Sequence, residues 1–323
     1  MGRANRTEAR APQGDGASAS SPGTDGSGAQ PRRRTDSGAT GLAVVDKPAG
    51  WTSHDVVAKL RGVLGTRKVG HAGTLDPDAT GVLLVGVGGV TRLLRFLSET
   101  GKGYVGEVVL GTATSTLDSS GDVTGSWDMR GVSFDDAVAA AARFVGEIDQ
   151  IPPMVSAVHV GGKRLHELAR QGIEIEREPR RVRVDRYELE RTDDPLVLRA
   201  TVECSSGTYI RSLAADLGTA LGGGAHLRAL RRTRVGSFTL DEAVPLTSVS
   251  VEGLLAPADA LRDLATVVVD ADRAADVAHG KVLPRPDGDG PWRVLDHAGA
   301  LLAVYEPFKE GLAKPTVVLP PSG

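Results

Sequence analysis

Cysteine is almost absent from this chain. Cys204 stands alone among 323 residues, so no internal disulfide can form, and a reducing compartment, the cytoplasm, is the expected setting. Aromatic residues are scarce, and no apolar run approaches the roughly 20 residues that span a bilayer. The N-terminal stretch has no signal-peptide core. Excess basic charge is missing too: 38 Lys and Arg face 41 Asp and Glu, a formal net charge of −3. Total charge therefore gives no argument for a nucleic-acid partner, and only local clusters could. There is no Cys/His cluster with metal-ligand spacing and no phosphate-cradling loop. "VGVGGV" lacks the Gly-x-Gly-x-x-Gly spacing of a dinucleotide site and the ribose-binding acid that follows it. No period of about 20 to 50 residues repeats, which excludes a solenoid.

What is present divides the chain. Residues 1–40 are rich in Gly, Ser, Ala, Pro and Arg with almost nothing large and apolar, a composition that cannot offset its ordering entropy and reads as a disordered tail. "PRRR", ending at Arg34, reads as a solvated run. Order is expected from residue 41. "LAVVD" is a strand, "KPAGW" a turn, and Ser53 the N-cap of a helix whose inner face carries Val56, Val57, Leu60, Val63 and Leu64. "GVLLVGV" and "GYVGEVVLGT" are strands, with a short helix at "TRLLRFL" between them. Ser133 with Asp136 resembles a capping box opening an alanine-rich helix to Phe144. "GKRLHELARQG" reads as a helix closed by Gly172, "RVRVDRYELE" and "LVLRATVEC" as paired strands, and "GTYIRSLAADLGTALGG" as a helix. "TRVGSFTL" closes this body near residue 245. Mixed elements without a strict βαβ rhythm indicate α+β with a largely antiparallel sheet flanked by helices. A short helix in "DADRAADVAHG" and strands at "WRVLD", "LLAVYE" and "TVVL" indicate a small β-rich C-terminal domain.

The stretch that asks for chemistry is "GHAGTLDPDATGVLL", residues 70–84. Its "DPDATG" matches the start of a calcium loop, but Val87 stands where a bidentate Glu is required. A phosphatase-like Asp-x-Asp pair needs an apolar strand running into its first Asp, and "GHAGTL" is too polar. A glycosidase pair needs two carboxylates across one bond, and Pro77 keeps Asp76 and Asp78 from facing one substrate. An ordinary Asp-Pro turn capped by Asp76 remains open on these residues alone.

The company that Asp76 keeps decides between them. "VVDKPAGWTSHDVV", "GHAGTLDPDATGVLLVGVGGVTRLLRFL", "KGYVGEVVLG", "IPPMVSAVHVGGKRLHELARQG" and "CSSGTYIRSLAADLG", in this order, closely resemble the TruB family of tRNA pseudouridine synthases over about residues 41–245. The C-terminal part resembles, more loosely, the PUA-type RNA-binding domain such enzymes carry. The resemblance implies a pseudouridine synthase domain over 41–262 and a PUA-like domain over 263–323. It implies isomerisation of a T-loop uridine in tRNA to pseudouridine, with no metal or other cofactor, no obligatory protein partner and a monomeric state. Two other readings stand beside it: a tRNA-binding folding chaperone, and a guide-RNA-dependent synthase.

By the same resemblance Asp76, in the "G-x-L-D-P" motif, is the catalytic carboxylate, and Arg211, in "GTYIR", pairs with it. Tyr209 lines the pocket. Tyr104, in "KGYVG", stacks on the uracil and serves as a base for the ribose proton. His71 fills space left by flipped T-loop bases, Leu230 makes an apolar contact to the uracil, and Lys47 contacts RNA near the cleft. Asp78 matches no catalytic position and reads as structural or solvent-facing. "HLRALRRTR", with four arginines and no acid, and "REPRRVRVDR" are the clusters able to neutralise phosphates. Three positions depart from the family pattern: Val155 where an aromatic is common, Arg92 in place of a lysine, and Gly103 where a basic residue is frequent.

Overall fold

A computed structural model describes residues 37–154, 156, 159–160, 163–164 and 175–320. One ten-stranded sheet organises the chain. From one edge to the other it runs Val244–Pro245, Gly41–Lys47, Thr80–Val87, Ala225–Val235, Lys102–Leu110, Val197–Cys204, Arg180–Arg191 and Gly146–Gln150. Val69–Ala72 pairs with Thr80–Val87, and Phe238–Thr239 with Ala225–Val235. Most neighbours are antiparallel, as the mixed pattern predicts. The exceptions are the outer pair Gly41–Lys47 with Val244–Pro245, and the central pair Thr80–Val87 with Ala225–Val235.

The central parallel pair shapes the site. It touches only at Arg231 with Thr80 and Arg232 with Gly81. On its other side, the Ala225–Val235 strand jumps register against Lys102–Leu110 between Arg228 and Arg231. Ala229 lies within this bulge with φ 53°, a left-handed conformation uncommon for a residue with a Cβ. The ladder therefore opens beside Leu230, between the two halves of the sheet.

Helices cover the sheet where their sequence gives an apolar face. The helix Ser53–Val63 buries Ser53, Val56, Val57 and Leu60. Its N-cap is Thr52 rather than the expected Ser53, because Thr52 and Asp55 form a reciprocal capping box that satisfies two orphan groups at once. Val63, expected on the inner face, is 48% exposed. The alanine-rich helix spans Phe134–Ala142, with the Ser133 hydroxyl accepting from the Asp136 amide as expected. "TRLLRFL" forms a 3-10 turn, Gly88–Leu93, that passes into a short α-helix, Leu94–Ser98. The helix expected over 162–172 lies outside the described residues, except that Lys163–Arg164 pairs as a short strand with His159–Val160. Residues 1–36 of the expected tail also lie outside them. Its last four residues are described and tethered: the Ser37 hydroxyl donates to the Leu64 carbonyl at 2.6 Å, and Ala39 is buried while the other three are exposed.

A second sheet of five strands follows, in the order Ala265–Val268, Trp292–Leu295, Leu301–Pro307, Leu312–Val318 and Leu283–Pro284. Its Leu301, Val304, Val317 and Leu319 join one apolar cluster with Leu42, Val44, Val82, Leu84, Phe96 and Leu97 of the first body. Arg95 adds an ion pair to Glu306 at 2.6 Å, and Arg92 donates to the Val318 carbonyl at 2.6 Å. The arginine that departs from the family's lysine thus ties the two sheets together.

At the central crossing only glycine fits position 81. Its φ is 100°, and a Cβ there would overlap the Arg232 carbonyl oxygen. Gly81→Ala is expected to cost at least about 2 kcal/mol from strain and overlap combined, read as a lowered urea midpoint at unchanged m-value.

Candidate active site

Asp76 sits in the turn between Val69–Ala72 and Thr80–Val87, and the turn is pinned from both sides. The Ser53 hydroxyl accepts from the Leu75 amide at 2.9 Å and donates to the Leu75 carbonyl at 3.2 Å. The Lys47 ammonium donates to the carbonyls of Pro48 at 2.9 Å, Trp51 at 2.7 Å and Pro77 at 3.0 Å. The Gly50 amide adds a bond to the same Pro77 carbonyl at 3.0 Å. A short-range element, the "DKPAGWTS" turn, thereby holds the backbone on both sides of Asp76. Lys47 is fully buried and its three N–H donors are all used, so it braces the loop and does not reach an RNA, which corrects the expected contact. Burial brings its pKa down to about 8.

Arg211 approaches Asp76 from the helix Ile210–Ala220, whose first turn carries it. One guanidinium nitrogen lies 3.2 Å from an Asp76 oxygen, and the other lies 3.2 Å from Asp118. The second also donates to the Thr116 carbonyl at 3.1 Å. Burial pushes the Asp76 pKa up; Arg211 opposes this and Asp118 reinforces it. The Asp76 side chain is still 41% exposed, so a buried cation presents a carboxylate at an open lip. Asp118 escaped the sequence reading. In "STLDSSG" it looks like an ordinary turn aspartate, and its Oδ1 does accept from Thr116 and Ser120. Asp78 is exposed.

Two clefts, each of about 280 Å³, meet at Asp76, Arg211 and Leu230. One is walled by Tyr104, Tyr209, Thr74, Lys102 and Arg232. The other is walled by Asp78, Asp118, Ser120 and Arg228. Leu230 reaches both because the bulge turns it out of the ladder. The structure brings Asp76, Arg211, Tyr104, Tyr209 and Leu230 around the first cleft; His71 and Lys47 are not in its wall.

Tyr104 is nearly buried, on a strand register opposite Arg232. Burial pushes its phenol pKa up, only partly countered by the neighbouring Arg232 charge. Its place in the cleft wall lets the ring offer a stacking face. Arg232 itself is 1% exposed and donates to the carbonyls of Val82, Thr74 and Gly73. Tyr209 is held by its backbone: its amide donates to Gln150 Oε1 at 2.7 Å and its carbonyl accepts from Gln150 Nε2 at 3.0 Å. A lone glutamine at a strand end gave no signal in the sequence.

His71 lies on the Val69–Ala72 strand, not in a loop, with its ring edge-on to His54 at 5.4 Å. Its Nδ1 is buried without a hydrogen-bond partner among the described residues. Burial, with His54 and Arg232 adding repulsion, lowers its pKa to about 4.

The arginines of "HLRALRRTR" other than Arg232 pair with acids at a partly exposed surface. Arg228 pairs with Glu107, Arg231 with Asp46, and Arg234 with Glu203, each at 2.8 Å. The second cluster is laced to acids as well, through Arg181 with Glu147, Arg183 with Asp185 and Arg186 with Glu188. Val155 lies outside the described residues. Gly103 is pressed against Thr233 and Arg234 of the neighbouring strand. Among the described residues, no group of three or more His, Cys, Asp or Glu is placed to hold a metal ion, and no helix is long and apolar enough to cross a membrane.

Comparison with known proteins places this geometry. Family models described as TruB family pseudouridylate synthase (N-terminal domain), tRNA pseudouridylate synthase B C-terminal domain, and tRNA pseudouridine synthase II, C terminal, match residues 61–210, 211–275 and 264–320. A tRNA pseudouridine synthase B of Mycobacterium sp. (strain KMS) is 45% identical over 293 residues, covering 87% of this chain and 97% of the relative. That of Rhodococcus jostii (strain RHA1) is 48% identical over 273 residues, covering 82% and 90%. Among solved structures, a Cbf5-Nop10-Gar1 complex aligns with TM-score 0.68 and 27% identity, over 88% of this chain and 85% of the other. An H/ACA RNP bound to a substrate RNA containing 2'-deoxyuridine aligns with TM-score 0.66 and 25% identity, over 87% and 85%.

Two outcomes follow from the site's electrostatics. Because the folded-state pKa of His71 is depressed, its contribution to stability is whole above its ordinary value of about 6.5 and is lost as pH falls towards about 4. Urea unfolding at pH 7 and pH 4.5 is expected to show a smaller drop for His71→Gln than for wild type. Lys47→Met strands three carbonyls and is expected to cost about 2–4 kcal/mol, with RNA affinity of the folded variant unchanged in a filter-binding assay.

Proposed function

The chain belongs to the TruB family of pseudouridylate synthases, and we propose that it converts a T-loop uridine of tRNA, position 55 in tRNA nomenclature, to pseudouridine. It does so as a monomer in the cytoplasm, without a partner protein. The observation that carries this reading is the Asp76–Arg211 ion pair at the lip of a cleft whose wall is Tyr104, Tyr209 and Leu230.

The reaction breaks the N1–C1′ bond, turns the uracil and forms a C5–C1′ bond; the C5 hydrogen leaves as a proton, and N1, freed from the ribose, takes one up. It is an isomerisation, so atoms balance without an added reagent. A uridine flipped out of its loop, at a few kcal/mol of unstacking, lays its base on the Tyr104 ring and against Leu230. Asp76 supplies the carboxylate that supports glycosidic cleavage, and Arg211 keeps it ionised. His71, uncharged near neutral pH, fills space left by the displaced bases. Residues 41–262 are the catalytic domain, and the region from 263 grips the RNA.

The likeness to a Cbf5-Nop10-Gar1 complex favours, as a second reading, a synthase directed by a guide RNA. The higher identity to relatives named tRNA pseudouridine synthase B weighs for the stand-alone enzyme.

Tritium release from a T-arm transcript labelled at uridine C5 tests both. The isolated chain is expected to release tritium without any guide, whereas activity only on guide addition would establish the second reading. Asp76→Asn is expected to lower release by about 10³-fold or more while tRNA still binds; release at the wild-type rate would remove Asp76 from its role. Because burial raises the Asp76 pKa and the ionised form is required, the single-turnover rate is expected to fall on acidification. Its midpoint should lie above the ordinary carboxylate value of about 4.

A further inference from the structure

Tyr209 is the N-cap of the helix that carries Arg211, yet no side chain of the usual kind caps it. Its amide and carbonyl are instead both held by Gln150, the last residue of the edge strand Gly146–Gln150. Gln150 is 2% exposed and lines neither cleft. A buried amide costs free energy unless its donor and acceptor are both satisfied, and here each finds one partner on the same residue. One residue along, the Ile151 carbonyl accepts from the Ser212 hydroxyl at 3.2 Å. The strand end thus grips the helix on either side of Arg211.

We propose that Gln150 is a positioning residue for the reaction: with the Ser212–Ile151 bond, it fixes the helix start so that Arg211 stays against Asp76. The inference rests on the pseudouridine synthase reading above. The geometry makes the demand clear. The guanidinium must meet Asp76, Asp118 and the Thr116 carbonyl together, at 3.2, 3.2 and 3.1 Å. A helix start free to slide by about 1 Å breaks such an arrangement, and misplacement of that size costs roughly 10²-fold in rate.

The charged groups facing Asp76 are Arg211, Asp118, Lys47 and Asp78. Withdrawal of Arg211 leaves burial and Asp118 unopposed by their main counterweight, so the Asp76 titration midpoint moves up. General loosening of the fold would not produce that shift together with retained RNA binding.

The test uses full-length wild type, Gln150→Met and Ser212→Ala. It follows the Asp76 carboxyl by 13C NMR titration, single-turnover tritium release, and tRNA affinity. Gln150→Met is expected to lose about 10- to 100-fold in single-turnover rate, to change tRNA affinity by less than about threefold, and to raise the Asp76 midpoint by about one pH unit. Ser212→Ala is expected to move rate and midpoint the same way by less. A folded Gln150→Met with wild-type rate or an unmoved midpoint overturns the proposal. If Gln150→Met does not fold, an unmoved midpoint in Ser212→Ala overturns it. Absence of release by wild type would refute the enzyme reading, and the NMR midpoints would still decide whether Gln150 sets Arg211 against Asp76.

Discussion

Arg232 reaches out of the Ala225–Val235 strand and donates to carbonyls of Gly73, Thr74 and Val82, with Tyr104 opposite it on the neighbouring strand. Those residues belong to the turn that leads to Asp76, to the strand that leaves it, and to the strand across the central bulge. A guanidinium is suited to this because its planar fork presents several donors in fixed directions and never loses its charge. Taking such a cation from water is costly, and the surrounding carbonyls are what make its burial tolerable. The Asp76 turn and the junction of the two half-sheets are consequently set relative to one atom group. Gly81, crossing directly beneath it, allows the approach.

Around this frame the charges fall into two kinds. Several described arginines are paired where they stand: those of the Ala225–Val235 strand with Glu107, Asp46 and Glu203, and those of the Arg180–Arg191 strand with neighbouring acids. Exposed pairs of this sort contribute little to stability. They do explain how a chain with 41 acids and 38 bases can have arginine-rich strands without a strongly basic surface there. The Asp76–Arg211–Asp118 group differs in kind. Two carboxylates share one buried cation, and the one at the lip, Asp76, stays open to solvent.

Much of the architecture was legible from apolar patterning: "GVLLVGV" is buried on both faces, the alternating strands Arg180–Arg191 and Val197–Cys204 pair, and the helices Ser53–Val63, Phe134–Ala142 and Ile210–Ala220 form, though Val63 is exposed. Local caps were less so, because Thr52 and Ser53 are equally plausible from sequence and only the pairing with Asp55 and Leu75 distinguishes a cap from a tether. For the site, Asp76 stood out by its turn, but Arg211, Tyr209 and Leu230 carried no signal beyond the family resemblance. Lys47 and Arg232 were misread for a common reason. A basic side chain next to a candidate cleft suggests a ligand contact, and whether it points outward or into carbonyls depends in part on backbone as far as 159 residues away. Asp118 and Gln150 meet Arg211 and Tyr209 only through the tertiary fold, and no local pattern marks those contacts.

The apolar cluster shared by the two sheets has a consequence for how the molecule comes apart. Leu301, Val304, Val317 and Leu319 complete a core whose other members are Leu42, Val44, Phe96 and Leu97, so the C-terminal sheet is not an appendage on a finished domain. Separating them would bare buried side chains on both faces, each worth about 1.5–3 kcal/mol of hydrophobic stabilisation, against a whole-protein stability of only about 5–15 kcal/mol. The shared cluster couples the unfolding of the two sheets, and exchanging the C-terminal sheet for another module would require rebuilding the strand that begins at Gly41.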